Sequence, residues 1–175
     1  MNLNGYIACI CEGSAEQAIM ELLLDSNKLI FDSEELLEEE IIRSRSAKKF
    51  ESTYLRKGFS TEITILRILD SRRENFNLSK AYKNKISVID IITAPEIEML
   101  IILNENKYND FKKSGMKPSE FCKINLGFKN VKSYNFVKKY FDDINKLIGS
   151  IHEYRRVSNI KRGEYTLVDL LKPID

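Results

Sequence analysis

Two spacings of apolar residues alternate along this chain. Tyr6-Ile7-Ala8-Cys9-Ile10-Cys11 is an almost unbroken run of apolar and thiol side chains, the pattern of a strand covered on both faces. Ile63-Thr64-Ile65-Leu66-Arg67-Ile68-Leu69 repeats that pattern with β-branched residues, and Ile86 to Ile92 gives a third run. Between and after them the spacing changes to three-to-four. Gly13 permits a turn, Ser14 is a good N-cap, and a helix is predicted from Ala15 to about Leu24. Pro95 suits the first position of an apolar helix running to about Leu103. From Ser133 to about Val157, Phe136, Val137, Tyr140, Phe141, Ile144, Leu147, Ile148, Ile151 and Tyr154 keep one stripe, read as a single long amphipathic helix packed on the sheet. Strands alternating with helices predict an α/β fold: a small, Rossmann-like parallel sheet flanked by helices, with right-handed crossovers.

Other segments give weaker signals. Lys28 to Phe31 reads as a short strand. Asp32-Ser33 caps a helix starting near Glu34, whose acids Glu35, Glu38, Glu39 and Glu40 form a solvated face. That helix, or a second one after a break, carries Arg43, Arg45, Lys48, Lys49, Arg56 and Lys57. Its inward stripe is Leu36, Leu37, Ile41, Ile42, Phe50, Tyr54 and Leu55, and Gly58 is its stop. Asn104 to Gly115 reads as a polar helix or loop, Pro118 to Cys122 as a short helix, and Tyr165 to Leu171 as a last strand or turn. The chain has 175 residues and no Gly/Ser/Pro-rich linker, so one domain is expected. Its core spans about 5–130, with a C-terminal helical extension over about 131–175.

Composition narrows the chemistry. With 43% hydrophobic and 31% charged residues and no apolar run of membrane-spanning length, a soluble protein with no membrane partner is expected. Met1 to Gly5 lacks a signal-peptide pattern, which points to the cytoplasm. The three cysteines, Cys9, Cys11 and Cys122, have no C-x-x-C spacing and suit neither a disulfide framework nor a zinc site. His152 is the single histidine and lies far from any nucleophile, so catalysis must rest on carboxylates, lysines or arginines. A net charge of +2 neither demands nor excludes nucleic acid.

Acids follow each strand. Glu12 ends the first, with Glu16 one helical turn on. Asp70 ends the second. Glu96 and Glu98 follow the third, and the sequence does not choose between them. In a parallel sheet these strand ends share one edge, where open α/β proteins place their sites. Oxygen donors without clustered histidine or cysteine favour a hard divalent cation, Mg2+ or Mn2+, which can polarise a phosphoryl oxygen. Arg72 and Arg73 are placed to bind a phosphate. Lys48, Lys49, Lys80 and Lys83, with Tyr54 and Tyr82 among them, are candidates to follow a nucleic-acid backbone. The bland alternative is an interaction protein whose strand-end acids are helix caps and solvated turns.

Cys11-Glu12-Gly13-Ser14-Ala15-Glu16 after a hydrophobic strand resembles the first TOPRIM motif, in the E-G-x-x-E form of OLD-type nucleases and RloB-like proteins. Strand-Asp70 resembles the second motif, D-x-D. Thr93 to Leu103, with Pro95 and Glu98, looks like the RloB-like segment S/N-x-P-x-x-E followed by a hydrophobic run. The resemblance covers about Tyr6 to Leu103. It implies a TOPRIM fold and a Mg-dependent nuclease of bacterial antiphage defence, acting on DNA or RNA and often found beside an ATPase partner. By the same resemblance Glu12 is the general acid/base or a metal ligand, and Asp70 takes part in the chemistry. Glu16 and Asp70 are metal ligands, and Glu98 is a ligand or orienting residue. One departure stands out: Arg72 occupies the place of the second aspartate of D-x-D. An arginine there would repel a cation, or replace it with a fixed positive charge. The second reading is therefore a catalytically silent TOPRIM-like module that binds nucleic acid or a partner protein.

Overall fold

The computed structural model describes residue 1 and residues 3–44, 46–56, 61–93 and 97–173. Four strands form one parallel sheet in the order β2-β1-β3-β4: β1 Tyr6–Cys11, β2 Ile42–Arg43, β3 Ile63–Leu69 and β4 Ile86–Ile92. β1 and β3 occupy the middle because their side chains are apolar in both directions. Ile7 to Cys11 and every residue of β3 are buried. Register sets Ala8 beside Ile65, Ile10 beside Arg67, and Arg67 beside Asp90.

One face of the sheet carries most of the core. Ile7, Cys9, Cys11, Leu66, Ile68 and Ile91 point into it. The helices over it are α1 Ser14–Asp25, α3 Met99–Asn104, α4 Tyr108–Ser114, α5 Pro118–Ile124, α6 Tyr134–Tyr140 and α7 Ile144–Val157. The other face is thinner. Ala8, Ile10, Ile63 and Ile65 meet Phe50 of α2, Ala47–Phe50, and Leu55 of the wider turn, Glu51–Leu55, that continues it. Phe76, Leu78 and Tyr82, from the irregular crossover between β3 and β4, complete that cover.

The C-terminal stripe does not make one helix. It divides into α6 and α7 because Phe141 leaves the helical region (ψ 38°) and Asp143 caps a new start, its carboxylate accepting the Asn145 N–H at 2.9 Å. α6 packs on α1 and α7 on α3, so both cover helices rather than the sheet. Val137, Phe141, Leu147, Ile151 and Tyr154 join the main core.

The acidic stretch also differs from expectation. In place of a helix from Glu34 there is a turn, closed by the Leu36 N–H on the Ser33 carbonyl at 3.1 Å, then a 3-10 turn at Leu37–Glu39, and then β2. Glu38 and Glu39 take left-handed backbone angles, and the Ile7 N–H donates to the Glu35 carbonyl at 2.8 Å. Lys28 to Phe31 gives only a single bridge, Leu29 to Leu171, and the tail forms a 3-10 turn at Leu167–Leu170. Gly58, Arg45, Lys57, Pro95 and Glu96, each named in the sequence reading, lie outside the described residues.

Gly5 fixes how β1 begins. Its φ is +67°, and a Cβ there would run into the Glu62 backbone, whose carbonyl accepts the Tyr6 N–H at 2.9 Å. No helix among the described residues is long and apolar enough to cross a membrane.

Candidate active site

The carboxyl ends of β1, β2 and β3 open into a cleft of about 460 Å3. Its lining holds four carboxylates, Glu12, Glu16, Asp70 and Glu74, and two cations, Arg43 and Lys132. Gly13, Ser14 and Ala15, where α1 begins, complete the wall.

Each carboxylate has a local reason for its place. Glu12 is the first residue beyond β1 and lies on the Arg67 side of the sheet. Gly13, not Ser14, is the N-cap of α1. The buried Glu16 folds its carboxylate back over that glycine, so a Cβ at residue 13 would collide with Glu16 Oε2. Asp70 follows the last residue of β3, and Glu74 lies in the crossover that leaves it.

Beneath Glu12 sits a residue that the sequence reading left within the strand. Arg67 is 4% exposed in the middle of β3. A charge buried so deeply needs partners, and it has three. Its guanidinium is 3.8 Å from Glu12 Oε1, donates to Asp90 Oδ1 at 3.2 Å, and lies 4.8 Å from the centre of the Phe76 ring. Even so, Glu12 is pushed up to about 7. Burial is the main cause, followed by repulsion from Glu74 and Asp70; Arg67 pulls the other way, and Glu16 adds a last push.

Glu98 is fully buried at the start of α3 and meets Lys132 Nζ at 3.2 Å. It stands behind a cation of the cleft rather than on its wall. Glu12, Glu16 and Asp70 are therefore brought together as expected, and Glu98 reaches the site through Lys132.

The basic candidates are elsewhere. Arg72 turns away from the cleft into a two-pronged pair with Glu164, at 2.7 and 3.0 Å. It neither replaces a cation at the site nor repels one from within it. Arg73 is exposed beside Ser71, and Lys48 and Lys49 are exposed on α2. Lys80 and Lys83 lie in the turn that leads into β4, and Lys83 lines a groove at the opposite, amino edge of the sheet.

Four contributors were not anticipated as site residues: Arg43, Arg67, Glu74 and Lys132. Arg67 carried a signal, being a lone charge inside an apolar strand. Lys132 carried none, since only the tertiary fold brings residue 132 to the end of β1.

Among the described residues, no three of His, Cys, Asp and Glu stand close enough together to enclose a metal ion. The fold defines the class at this point: an α/β protein with a four-stranded parallel sheet between helices, a Rossmann-like arrangement. No family model matches the chain, and no curated protein and no solved structure matches it.

Proposed function

We propose that this protein is a TOPRIM-like nuclease, a hydrolase that cleaves phosphodiester bonds of DNA or RNA with Mg2+ or Mn2+. The observation behind the reading is the cleft, where four carboxylates from β1, α1 and the crossover after β3 face Arg43 and Lys132. Strand-end acids suit a cation and a reacting oxygen, and the two bases suit the phosphate.

The donor set fits such an ion in kind. All four donors are carboxylate oxygens, and Mg2+ is commonly held by one or two carboxylates with water and phosphate, so an enclosing trio is not required. The repulsion that Glu74, Asp70 and Glu16 exert on Glu12 is one that a cation would relieve. Asp70 and Glu16 would hold it, with Glu74 beside them, which leaves Glu12 for the proton. Bound there, it would polarise the phosphoryl oxygen and acidify a water.

The chain's own groups do the rest. Glu12 exchanges a proton with the attacking water or the leaving oxygen. Arg67 steadies Glu12 from below. Arg43 and Lys132 hold phosphate oxygens, and Glu98 orients Lys132. The proposal extends to antiphage defence and an ATPase partner on the motif likeness alone.

A second reading, a module that binds nucleic acid without cutting it, is favoured by the same two cations, which can hold a phosphate unaided. One assay separates them. Purified protein is incubated with labelled single- and double-stranded DNA and RNA, in Mn2+ and in chelator. Cation-dependent cutting that Glu12→Gln and Asp70→Asn abolish supports the nuclease. Binding with no cutting supports the module.

A further inference from the structure

We infer that a single strand of nucleic acid leaves the cleft through a second groove, between α5 and the segment before α6. The inference deepens the proposed function and rests on it for the identity of the polymer.

The groove has a volume of about 570 Å3 and adjoins the cleft at Lys132, which lines both. Lys123, Lys129 and Lys132 line it together with Ser119, Phe128 and Asn130, and among the described residues its lining holds no acid. The cleft mixes both signs of charge; the groove is positive alone. Its wall is fixed: the Phe128 N–H donates to the Cys122 carbonyl at 3.0 Å, which ties the segment to α5. The chain then reverses through Asn130 at φ 56°, and the Ser133 N–H closes the turn on the Asn130 carbonyl at 2.8 Å.

Phe128 gives the groove an apolar element among its lysines. The ring is half-buried and held by Phe136 and Tyr140, with ring centres 5.7 and 5.5 Å away. A positively charged track with a fixed aromatic beside it is the arrangement that holds single strands: lysines take successive phosphates, and the ring offers a surface to a base. A strand with one phosphate held at Lys132 passes its next phosphates to Lys129 and Lys123, away from the carboxylates.

The test is binding of a fluorescein-labelled single-stranded oligonucleotide in chelator, where cutting plays no part, over a range of salt. The Lys123→Gln/Lys129→Gln double variant is expected to raise Kd roughly tenfold. It should also lower the slope of log K against log salt by about 1.4, which is two phosphate contacts at about 0.7 each. Lys80→Gln/Lys83→Gln, with the same charge loss at the other sheet edge, is expected to change neither. Equal weakening in both doubles, or no binding by the wild-type protein, would overturn the groove. The chain has no tryptophan, so Phe128→Trp supplies a single reporter. Quenching on binding is expected, and unchanged emission would overturn the stacking role. If the wild-type protein binds through Lys123 and Lys129 yet never cuts in Mg2+, the groove stands and the nuclease reading falls. If it cuts, while the Lys123/Lys129 variant binds as tightly as wild type, the reverse holds.

Discussion

The guanidinium of Arg67 lies 3.8 Å from the carboxylate of Glu12, buried between β1 and β4. A positive charge under the first strand-end acid explains how several carboxylates can crowd one cleft. It lowers the cost of ionising Glu12, although burial and repulsion still prevail. Arg67→Met is therefore expected to move Glu12 further above 7, read by carboxyl carbon NMR titration. Arg67→Lys should restore this only in part, because an ammonium cannot span Glu12 and Asp90 as a planar fork does. A Glu12 titration unchanged in Arg67→Met would remove Arg67 from the site.

The raised pKa of Glu12 has a definite sign in stability. Folded protein binds this proton more tightly than unfolded chain, from 4.5 up to about 7. The neutral carboxyl thus adds stability that is complete below about 4.5 and lost as pH rises through about 7. Glu12→Gln is expected to match wild type near pH 4 and to melt higher at pH 8. The difference should be on the order of 1 kcal/mol with solvent screening allowed for, or about 2–4 °C in Tm. A variant that melts lower than wild type at pH 8 would contradict the crowding of charge.

Arg72 provides a contrast. Its pair with Glu164 holds that carboxyl down at about 2, so the pair's contribution is present above about 4.5 and fades only as pH falls toward about 2. Arg72→Met should cost less than about 1 kcal/mol, as exposed pairs do, and leave cleavage unchanged. A tenfold loss of cleavage would return residue 72 to the site.

Much of the fold was legible because β1 and β3 are apolar on both faces, and only a sheet covered on both sides buries such strands. The convergence of Glu12, Glu16 and Asp70 followed from parallel topology alone. The helix expected from Glu34 failed for a physical reason: Ile42 and Arg43 are bound into the sheet edge, and pairing with β1 overrides the run of helix-forming glutamates. The break between α6 and α7 was masked because the apolar stripe continues through Phe141 while the backbone does not. Arg43, Glu74 and Lys132 stayed hidden, since their positions depend on contacts between segments far apart in the chain.

Gly5 tests the register of β1 on β3. Gly5→Ala would force a Cβ into the Glu62 backbone at a left-handed angle and is expected to cost about 2 kcal/mol or more. A urea midpoint equal to wild type would contradict that close approach.

The most direct measurement is cleavage of a mixed set of labelled DNA and RNA oligonucleotides in Mn2+ by wild type and Glu12→Gln side by side. The account expects cutting by wild type and a fall of about 100-fold or more in the variant, the usual contribution of a proton-transferring side chain. Equal cutting by both proteins, or none by the wild type, would contradict it.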